Sequence, residues 1–299
     1  MSTTTHSTPL SARLKVLAAA ALFSTGGAVI KAVSFSGWQV ASFRSGVAVI
    51  ALFLLMPEAR RRPSLKVLAV GLSYATTMIL FVQSNKLTTA ASMVFLQSTA
   101  PLYVLLLSPW MLEEKIRPRD LVYMAVLGVG LGLFFVGLDP VSATAPNPLL
   151  GNFLALLAGV FWATTIMGLR ALGREAGEGG SWGPAAAFWG SVFAFTMCLP
   201  FALPVTSSRP VDWLLVIFLG VFQIAFAYIL LLRGLENVRA FEASLLLLLE
   251  PVLNPVWAWL AHGERPGAWS LTGGAIILLS TVVKSWMDTR SDAAVTSPP

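Results

Sequence analysis

Glu250 is the residue of this sequence with the clearest potential for chemistry, because it lies midway along an apolar run, Ala240–Ala261. An ionisable side chain at the centre of a bilayer costs roughly 2.5 to 3.5 kcal/mol on insertion scales, so its presence needs a physical reason. One hypothesis is a proton site or a contact for the ammonium group of a ligand. The alternative is a protonated or hydrogen-bonded glutamate that ties helices together beside Pro251.

A stripe of aromatic and sulfur-containing side chains forms a second candidate site. Tyr74, Met78 and Phe81 follow one another at steps of three or four, together with Thr77 and Asn85, so a helix places them all on one face. Such a face suits an amphipathic ligand. Ordinary helix packing or contact with lipid is the alternative.

Neutral polar and aromatic side chains in other apolar runs complete the candidate binding residues. Gln97 precedes Pro101, and Gln223 lies deep in the second half of the chain. Their amides suit a zwitterionic ligand, although hydrogen bonding between helices would also explain them. The aromatic candidates are Trp162, which lies far from any expected membrane interface, Tyr103, which follows Pro101 by two residues, and Trp189.

The remaining ionisable candidates lie close to the ends of apolar runs. Lys31 and Arg44 could attract a carboxylate near the external side, but snorkelling to the lipid headgroups explains them equally. Glu114 and Glu264 each stand at a helix end and are followed by a cation. This placement favours a structural role, in which both glutamates tether loops.

The composition indicates that membrane-spanning helices hold these candidate residues in place. Hydrophobic residues make up 56% of the chain, charged residues only 11%, and the mean hydropathy is +0.77, whereas soluble domains carry roughly 25% charged residues. A helix needs about 20 apolar residues to cross a bilayer. The sequence predicts an all-α membrane protein with ten such helices, at residues 14–33, 38–56, 65–83, 88–112, 121–138, 149–169, 184–203, 213–232, 240–261 and 269–287.

Several other classes of protein lack support in the sequence. A single cysteine, Cys198, and two separated histidines provide no metal or redox motif. The basic residues flank apolar runs, which indicates membrane orientation rather than binding to nucleic acid. The sequence contains no GxxxxGK[ST] phosphate-binding loop. An intramembrane enzyme would need catalytic groups such as a histidine or a pair of acids at the centre of the apolar runs, where the sequence places only Glu250. We therefore expect no enzyme activity, no cofactor and no metal.

The distribution of Lys and Arg predicts the orientation. With the N-terminus inside, fifteen of the 20 cations fall in cytoplasmic segments, and the external segments hold only Lys31, Lys86, Arg209 and Arg265. Positive residues favour the cytoplasmic side. Both termini should therefore be cytoplasmic.

The two halves of the sequence repeat each other. Pro101 precedes Glu114 by the same spacing that separates Pro251 from Glu264, and Phe23 precedes Lys31 by the same spacing that separates Trp162 from Arg170. Each half contains five predicted helices, and five is odd, so the halves must cross the membrane in opposite senses. Such inverted repeats can exchange conformations around a midplane site, which is alternating access. Pro101 and Pro251 are the predicted hinges.

These features resemble the drug/metabolite transporter superfamily, in particular its ten-helix EamA-type branch, over nearly the whole chain. The segments that carry the resemblance are Phe43-Arg44, Ala90-Ala91-Ser92, Leu112-Glu113-Glu114, Ala243-Ser244, Glu250-Pro251, Gly263-Glu264 and Gly273-Gly274. Within that superfamily the chain is most similar to the bacterial aromatic amino-acid exporters (YddG-like). The first half departs from the pattern at Tyr123-Met124, where the second half has Gly273-Gly274.

The resemblance implies export of aromatic and other neutral amino acids and related metabolites across a bacterial inner membrane, by a monomer or a homodimer. A sugar-nucleotide carrier is the alternative within transport, and it should need more cations to hold phosphate. The expected organisation is a cytoplasmic tail (1–13), a first repeat (14–138), an external linker (139–148), a second repeat (149–287) and a cytoplasmic tail (288–299). Both tails are rich in Ser, Thr and Pro and are expected to be disordered.

Overall fold

The described residues form ten long apolar helices, and these confirm the predicted fold class. The computed structural model describes residues 9–111, 116, 118–176, 182–235, 238 and 240–296. The first five helices are α1 (Pro9–Ser24 and Gly26–Ala32), α2 (Gly37–Leu55), α3 (Leu65–Leu87), α4 (Ala90–Gln97 and Ala100–Met111) and α5 (Pro118–Val136). The second five are α6 (Pro148–Ala176), α7 (Gly183–Ala202), α8 (Pro210–Phe218, Leu219–Phe226 and Ala227–Leu235), α9 (Ala240–Leu247 and Leu249–His262) and α10 (Ala268–Thr296).

All ten helices are long and apolar enough to cross a membrane. A 3₁₀ turn, Pro57–Arg60, lies between α2 and α3. The described residues contain no strand, and their only β pairing is one isolated bridge between Ser142 and Ala145. The backbone polar groups of the spans are thus satisfied within helices, as a bilayer requires.

Two helices are interrupted at corresponding places. α4 breaks at Ser98 and Thr99, just before Pro101, and α9 breaks at Leu248, just before Pro251. Proline removes a backbone donor and crowds the preceding turn, so a break on its N-terminal side is expected. A break at Thr25 in α1 and a π-helical stretch, Leu219–Phe226, in α8 were not predicted.

The structure departs from the predicted boundaries at both ends of the chain. α1 begins at Pro9 rather than Leu14, and α10 continues to Thr296. The expectation of disorder is therefore wrong for 288–296, where Ala293 and Ala294 favour a helix. Glu114, the predicted counterpart of Glu264, lies outside the described residues.

The halves exchange their first helices. α1 packs on α8 and α9 of the second half, and α6 packs on α3 and α4 of the first half. Equivalent helices also meet each other, since α2 packs on α7, α4 on α9 and α5 on α10. This reciprocal pattern is the one expected for two repeats related by a pseudo-two-fold axis in the membrane plane.

Small residues allow the helices to approach closely. A Cβ added to Gly190 of α7 would lie 2.8 Å from the Gly71 carbonyl oxygen of α3. A Cβ on Gly273 of α10 would lie 2.5 Å from the Gly130 carbonyl oxygen of α5. Tight packing at small residues is the main source of helix association in lipid. The outer surface is apolar, with Leu54 and Leu260 more than half exposed.

Candidate functional site

A cavity of about 340 Å³ lies between the two halves, midway along the helices. Its walls come from α1, α3, α4, α6, α8, α9 and α10. The volume falls within the range of roughly 300 to 1,000 Å³ typical of small-molecule sites. The lining residues are Phe23, Tyr74, Met78, Phe81, Val94, Gln97, Ser98, Ala100, Pro101, Trp162, Ile166, Gln223, Ile224, Tyr228, Leu231, Leu247, Leu248, Glu250, Pro251 and Thr281.

Five aromatic side chains form much of the cavity wall. The rings of Phe23 and Tyr228 meet edge to face with 5.5 Å between their centroids, and those of Tyr228 and Tyr74 meet similarly at 5.8 Å. Phe81 and Trp162 complete the set. Edge-to-face contacts of this kind fix ring orientation and add stabilisation beyond burial. The wall therefore offers a preformed surface for a flat or apolar group.

The cavity follows the internal repeat. Phe23 and Trp162, which occupy equivalent repeat positions, both line it, and so do Pro101 and Pro251. The same correspondence pairs Ala100 with Glu250. The pseudo-two-fold axis thus passes through the cavity, but its polar groups differ between the halves. Phe23 was not among the candidates predicted from the sequence, although it could have been predicted from its repeat equivalence with Trp162.

The polar groups in the cavity are few. Gln97 lies beside the α4 break, Glu250 lies just after the α9 break, and Gln223 lies in the π-helical stretch of α8. Helix breaks and π-turns reposition side chains and leave backbone groups outside the regular ladder, and π-turns occur often at functional sites. The local irregularities therefore coincide with the candidate polar residues. Their binding and coupling roles stay predictions.

Two predicted residues do not line this cavity. Tyr103 lies two residues beyond Pro101, which turns its side chain by about 200° around the helix. It packs against Gly159 of α6, where an added Cβ would lie 3.1 Å from its ring. Trp189 packs on α3 at Gly71 and meets Phe188 edge to face at 5.6 Å.

The snorkelling alternative for Lys31 and Arg44 is wrong. The Lys31 side chain is 2% exposed and its Nζ lies 3.1 Å from Glu264 Oε1. Arg44 is fully buried. One Nη of Arg44 donates to Gln223 Oε1 at 3.3 Å, and the other donates to the Met78 carbonyl oxygen at 3.1 Å. Neither contact was visible in the sequence, because the partners are far apart in the chain.

Polar contacts close one end of the bundle, which we call the Lys31 end. Besides Glu264, Lys31 Nζ donates to the carbonyl oxygens of Thr88 and Thr144, at 2.7 and 2.5 Å. Glu264 Oε2 accepts a hydrogen bond from the Ala90 backbone N–H at the start of α4, at 2.9 Å. Glu264 thereby joins α4, α1 and the loop before α10, which is the tethering role predicted for it.

Two further carboxylates strengthen the Lys31 end. Asp139 accepts hydrogen bonds from Thr89 and Ser92 of the first half and from the Gly267 N–H of the second half. Asp212 accepts from the N–H and the hydroxyl of Ser34, which joins α8 to the end of α1. These contacts bridge the two halves at the Lys31 end, and at the opposite end Lys284 of α10 pairs with Asp120 of α5 at 3.1 Å. The cavity lies beyond them, towards the middle of the molecule.

Metal ligands do not cluster in the part of the chain that the structure describes. Within it, no group of three or more His, Cys, Asp or Glu side chains could hold an ion. Cys198, the single cysteine of the sequence, is buried in α7 and is not among the residues that line the cavity.

Both halves of the chain match one transporter family separately. Residues 10–137 and residues 149–286 each match the EamA-like transporter family. The chain belongs to this family. The double match agrees with the duplication read from the proline, glutamate and aromatic spacings. The protein is therefore a multi-pass membrane transporter of the EamA-like family.

Two relatives and a solved structure that align with most of this chain share 19 to 24% sequence identity with it. The pseudopaline exporter CntI of Pseudomonas aeruginosa (strain UCBPP-PA14) is 24% identical over 274 residues, which cover 88% of this chain and 92% of the relative. An uncharacterized transporter of Archaeoglobus fulgidus is 24% identical over 274 residues, or 91% and 95% of the two chains. A crystal structure that is 19% identical has the same fold, with a TM-score of 0.61 over 94% of this chain and 98% of the other.

Proposed function

We propose that this transporter exports aromatic and other neutral amino acids from the cytoplasm across the bacterial inner membrane by alternating access. The observation that carries the proposal is the cavity, in which five aromatic rings surround a few polar groups. An aromatic side chain packs favourably on such rings. The amides of Gln97 and Gln223 and the carboxyl group of Glu250 supply partners for the polar end of an amino acid.

The contacts between the halves support alternating access. The Lys31 end is closed by an ion pair and by carboxylates that bridge the halves, while the cavity wall extends along α8 and α9 to Leu231 and Leu247, towards the opposite end. The distribution of Lys and Arg supports an orientation with the Lys31 end outside and both termini in the cytoplasm. On this orientation the structure represents a state closed to the exterior. Exchange of conformations between the repeats would produce the complementary state.

The similarity to the pseudopaline exporter favours a second candidate, which is export of a metabolite other than an amino acid. That relative covers 88% of this chain, although only 24% of the aligned residues are identical. A sugar-nucleotide carrier has less support, because no Lys or Arg of the described residues lines the cavity. Enzyme activity lacks support for a similar reason, since Glu250 is the one carboxyl group among the lining residues.

Transport by the purified full chain in proteoliposomes tests the proposal. Uptake of radiolabelled phenylalanine, tryptophan, leucine, threonine and a UMP-sugar would be measured with and without a proton gradient. We expect saturable uptake of the amino acids, fastest for the aromatic ones. Uptake of the UMP-sugar alone, or of none of these compounds, would refute the amino-acid assignment.

A pair of tryptophan variants locates the transport site. Trp162 lines the cavity, whereas Trp110 is 79% exposed on the outer surface. Trp162→Ala should raise the apparent KM for tryptophan about 10-fold or more, because ring-on-ring contact and burial are lost. Trp110→Ala should leave the KM unchanged. Equal effects of the two substitutions would contradict a binding site in the cavity.

A further inference from the structure

Arg44 of α2 is a buried cation that pairs with no carboxylate of the described residues. The side chain is fully buried. Its contacts are Gln223 Oε1 at 3.3 Å, the Met78 carbonyl oxygen at 3.1 Å, Met78 Sδ at 3.7 Å and the face of the Phe81 ring at 5.6 Å. All of these groups are neutral, and Arg44 Nε has no hydrogen-bond partner among the residues that the structure describes.

Two other cations with little exposed surface differ from Arg44 in this respect. Among the described residues, Lys31 pairs with Glu264 and Lys284 pairs with Asp120. A charge removed from water is costly unless an opposite charge or a full set of hydrogen bonds compensates it. Arg44 has neither. Binding of an anion close to Arg44 would therefore be favourable.

The cavity is where such an anion could come close. Gln223, Met78 and Phe81, which make all the contacts of Arg44 named above, line the cavity. The guanidinium group is thus separated from the cavity by the lining residues that it contacts. In surroundings of low dielectric constant, a charge at this depth still produces a positive potential in the space in front of it.

Arg44 also fixes the orientation of the Gln223 amide. A guanidinium group only donates hydrogen bonds, so the amide atom that faces it must be the oxygen. The NH₂ group then faces away from Arg44, towards α1. It lies beside Gly26, where an added Cβ would be 3.0 Å from Nε2. Because Gly26 has no side chain and Gln223 is a lining residue, this NH₂ group can donate to a ligand.

We propose that the transported ligand carries a carboxylate, which the NH₂ group of Gln223 binds while Arg44 orients and polarises that amide. This inference rests on the proposed function and specifies the chemical class of the substrate. Arg44 is a positioning residue in this arrangement, because it acts through Gln223. Together with Glu250, whose carboxyl group lines the cavity, Arg44 gives this region one cationic and one acidic side chain. A ligand with both a carboxylate and an ammonium group would complement both.

A purely structural role for Arg44 makes a different prediction. The hydrogen bond to Met78 joins α2 to α3, so loss of Arg44 could weaken the fold without any effect on recognition. In that case binding of every ligand should fall by the same factor. Recognition predicts instead a change in the ratio of affinities for acids and for their neutral analogues.

The test measures this ratio directly. Binding to the purified full chain would be followed by the ligand-dependent shift in melting temperature, with phenylalanine, phenylalaninamide, 3-phenylpropionate and 2-phenylethylamine as probes. We expect the wild-type protein to bind phenylalanine about 10-fold or more tightly than phenylalaninamide, because a hydrogen bond to a charged group is involved. Arg44→Gln should abolish this preference, and Arg44→Lys should keep part of it.

Two further variants control for folding and for charge. Gln223→Glu places a carboxylate next to Arg44, which satisfies the buried cation, so the protein should fold while the preference changes in favour of 2-phenylethylamine. Arg62→Gln removes an exposed cation far from the cavity and should leave the ratio unchanged. If phenylalanine and its amide bind equally, or if Gln223→Glu and Arg44→Gln keep the wild-type ratio, the inference is refuted.

The outcomes also separate this inference from the proposed function. Binding of 3-phenylpropionate that depends on Arg44, without transport of any amino acid, would support carboxylate recognition and refute amino-acid export. Transport of amino acids with no preference for the carboxylate would support amino-acid export and refute carboxylate recognition. Failure of all four probes to bind the wild-type protein would refute both.

Discussion

Substitution of Glu264 by Gln tests whether the Lys31 end is a gate. Lys31 Nζ and Glu264 Oε1 are 3.1 Å apart, and both side chains are almost completely buried, at 2% and 3% exposure. Loss of one partner from a buried ion pair costs about 3 to 5 kcal/mol. Because glutamine keeps the size and an acceptor for the Ala90 N–H, we expect the lower figure, about 3 kcal/mol. In an open state Lys31 would be solvated, so the cost falls on the closed state.

A shift of about 3 kcal/mol corresponds to roughly a 100-fold change in the ratio of closed to open states. Cysteine labelling measures this ratio. In a Cys198→Ala background the chain contains no other cysteine, and Ala28→Cys then places a thiol in a buried position near the Lys31 end. A membrane-impermeant maleimide added from outside should react much faster in the Glu264→Gln protein than in the parent.

The neighbouring cation provides a matched control. Arg265 is exposed and follows Glu264 directly, so Arg265→Gln introduces the same amide without breaking a buried pair. It should leave the labelling rate unchanged. Equal labelling rates for the parent and for Glu264→Gln, in proteins with normal melting temperatures, would show that the ion pair does not control access.

Three further predictions concern packing, coupling and hinge motion. Gly190→Ala should reduce the free energy of unfolding by about 1 to 3 kcal/mol, because the added methyl group would lie 2.4 Å from the Tyr74 ring; denaturant titration measures this, and Gly173→Ala, which has open space, is the control. Glu250→Gln should slow transport and flatten its pH dependence, whereas full transport with an unchanged pH profile would leave Glu250 a structural role. Pro251→Ala should slow transport without changing binding affinity, and a normal rate would count against a hinge at the α9 break.

The helices could be predicted because their signal is local. A run of about 20 apolar residues is sufficient evidence for a span, whatever it packs against. Helical periodicity likewise placed Tyr74, Met78 and Phe81 on one face, and all three line the cavity. The same reasoning failed for Tyr103, because a shift of two positions along a helix moves a side chain to nearly the opposite face.

The polar contacts of the site depend on tertiary structure and could not be predicted. Arg44 and its partner Gln223 are 179 positions apart, and the contact depends on the π-helical stretch of α8. From the sequence alone, a cation near the end of an apolar run is expected to contact the lipid headgroups, since long side chains reach the interface easily. Arg44 cannot reach the headgroups because α2 packs against α3 and α8, where Met78, Phe81 and Gln223 contact its side chain.

The exchange of first helices between the halves has a consequence for synthesis of the protein in the membrane. α1 emerges from the ribosome long before α8 and α9, on which it packs. Contacts between segments so distant in the chain form late. Until then Lys31 has no Glu264 to neutralise it, so α1 must remain a transient, unassembled span. Completion of the final helices is therefore the step that commits the first helix to its place, and a chain truncated before α8 would expose it to membrane quality control.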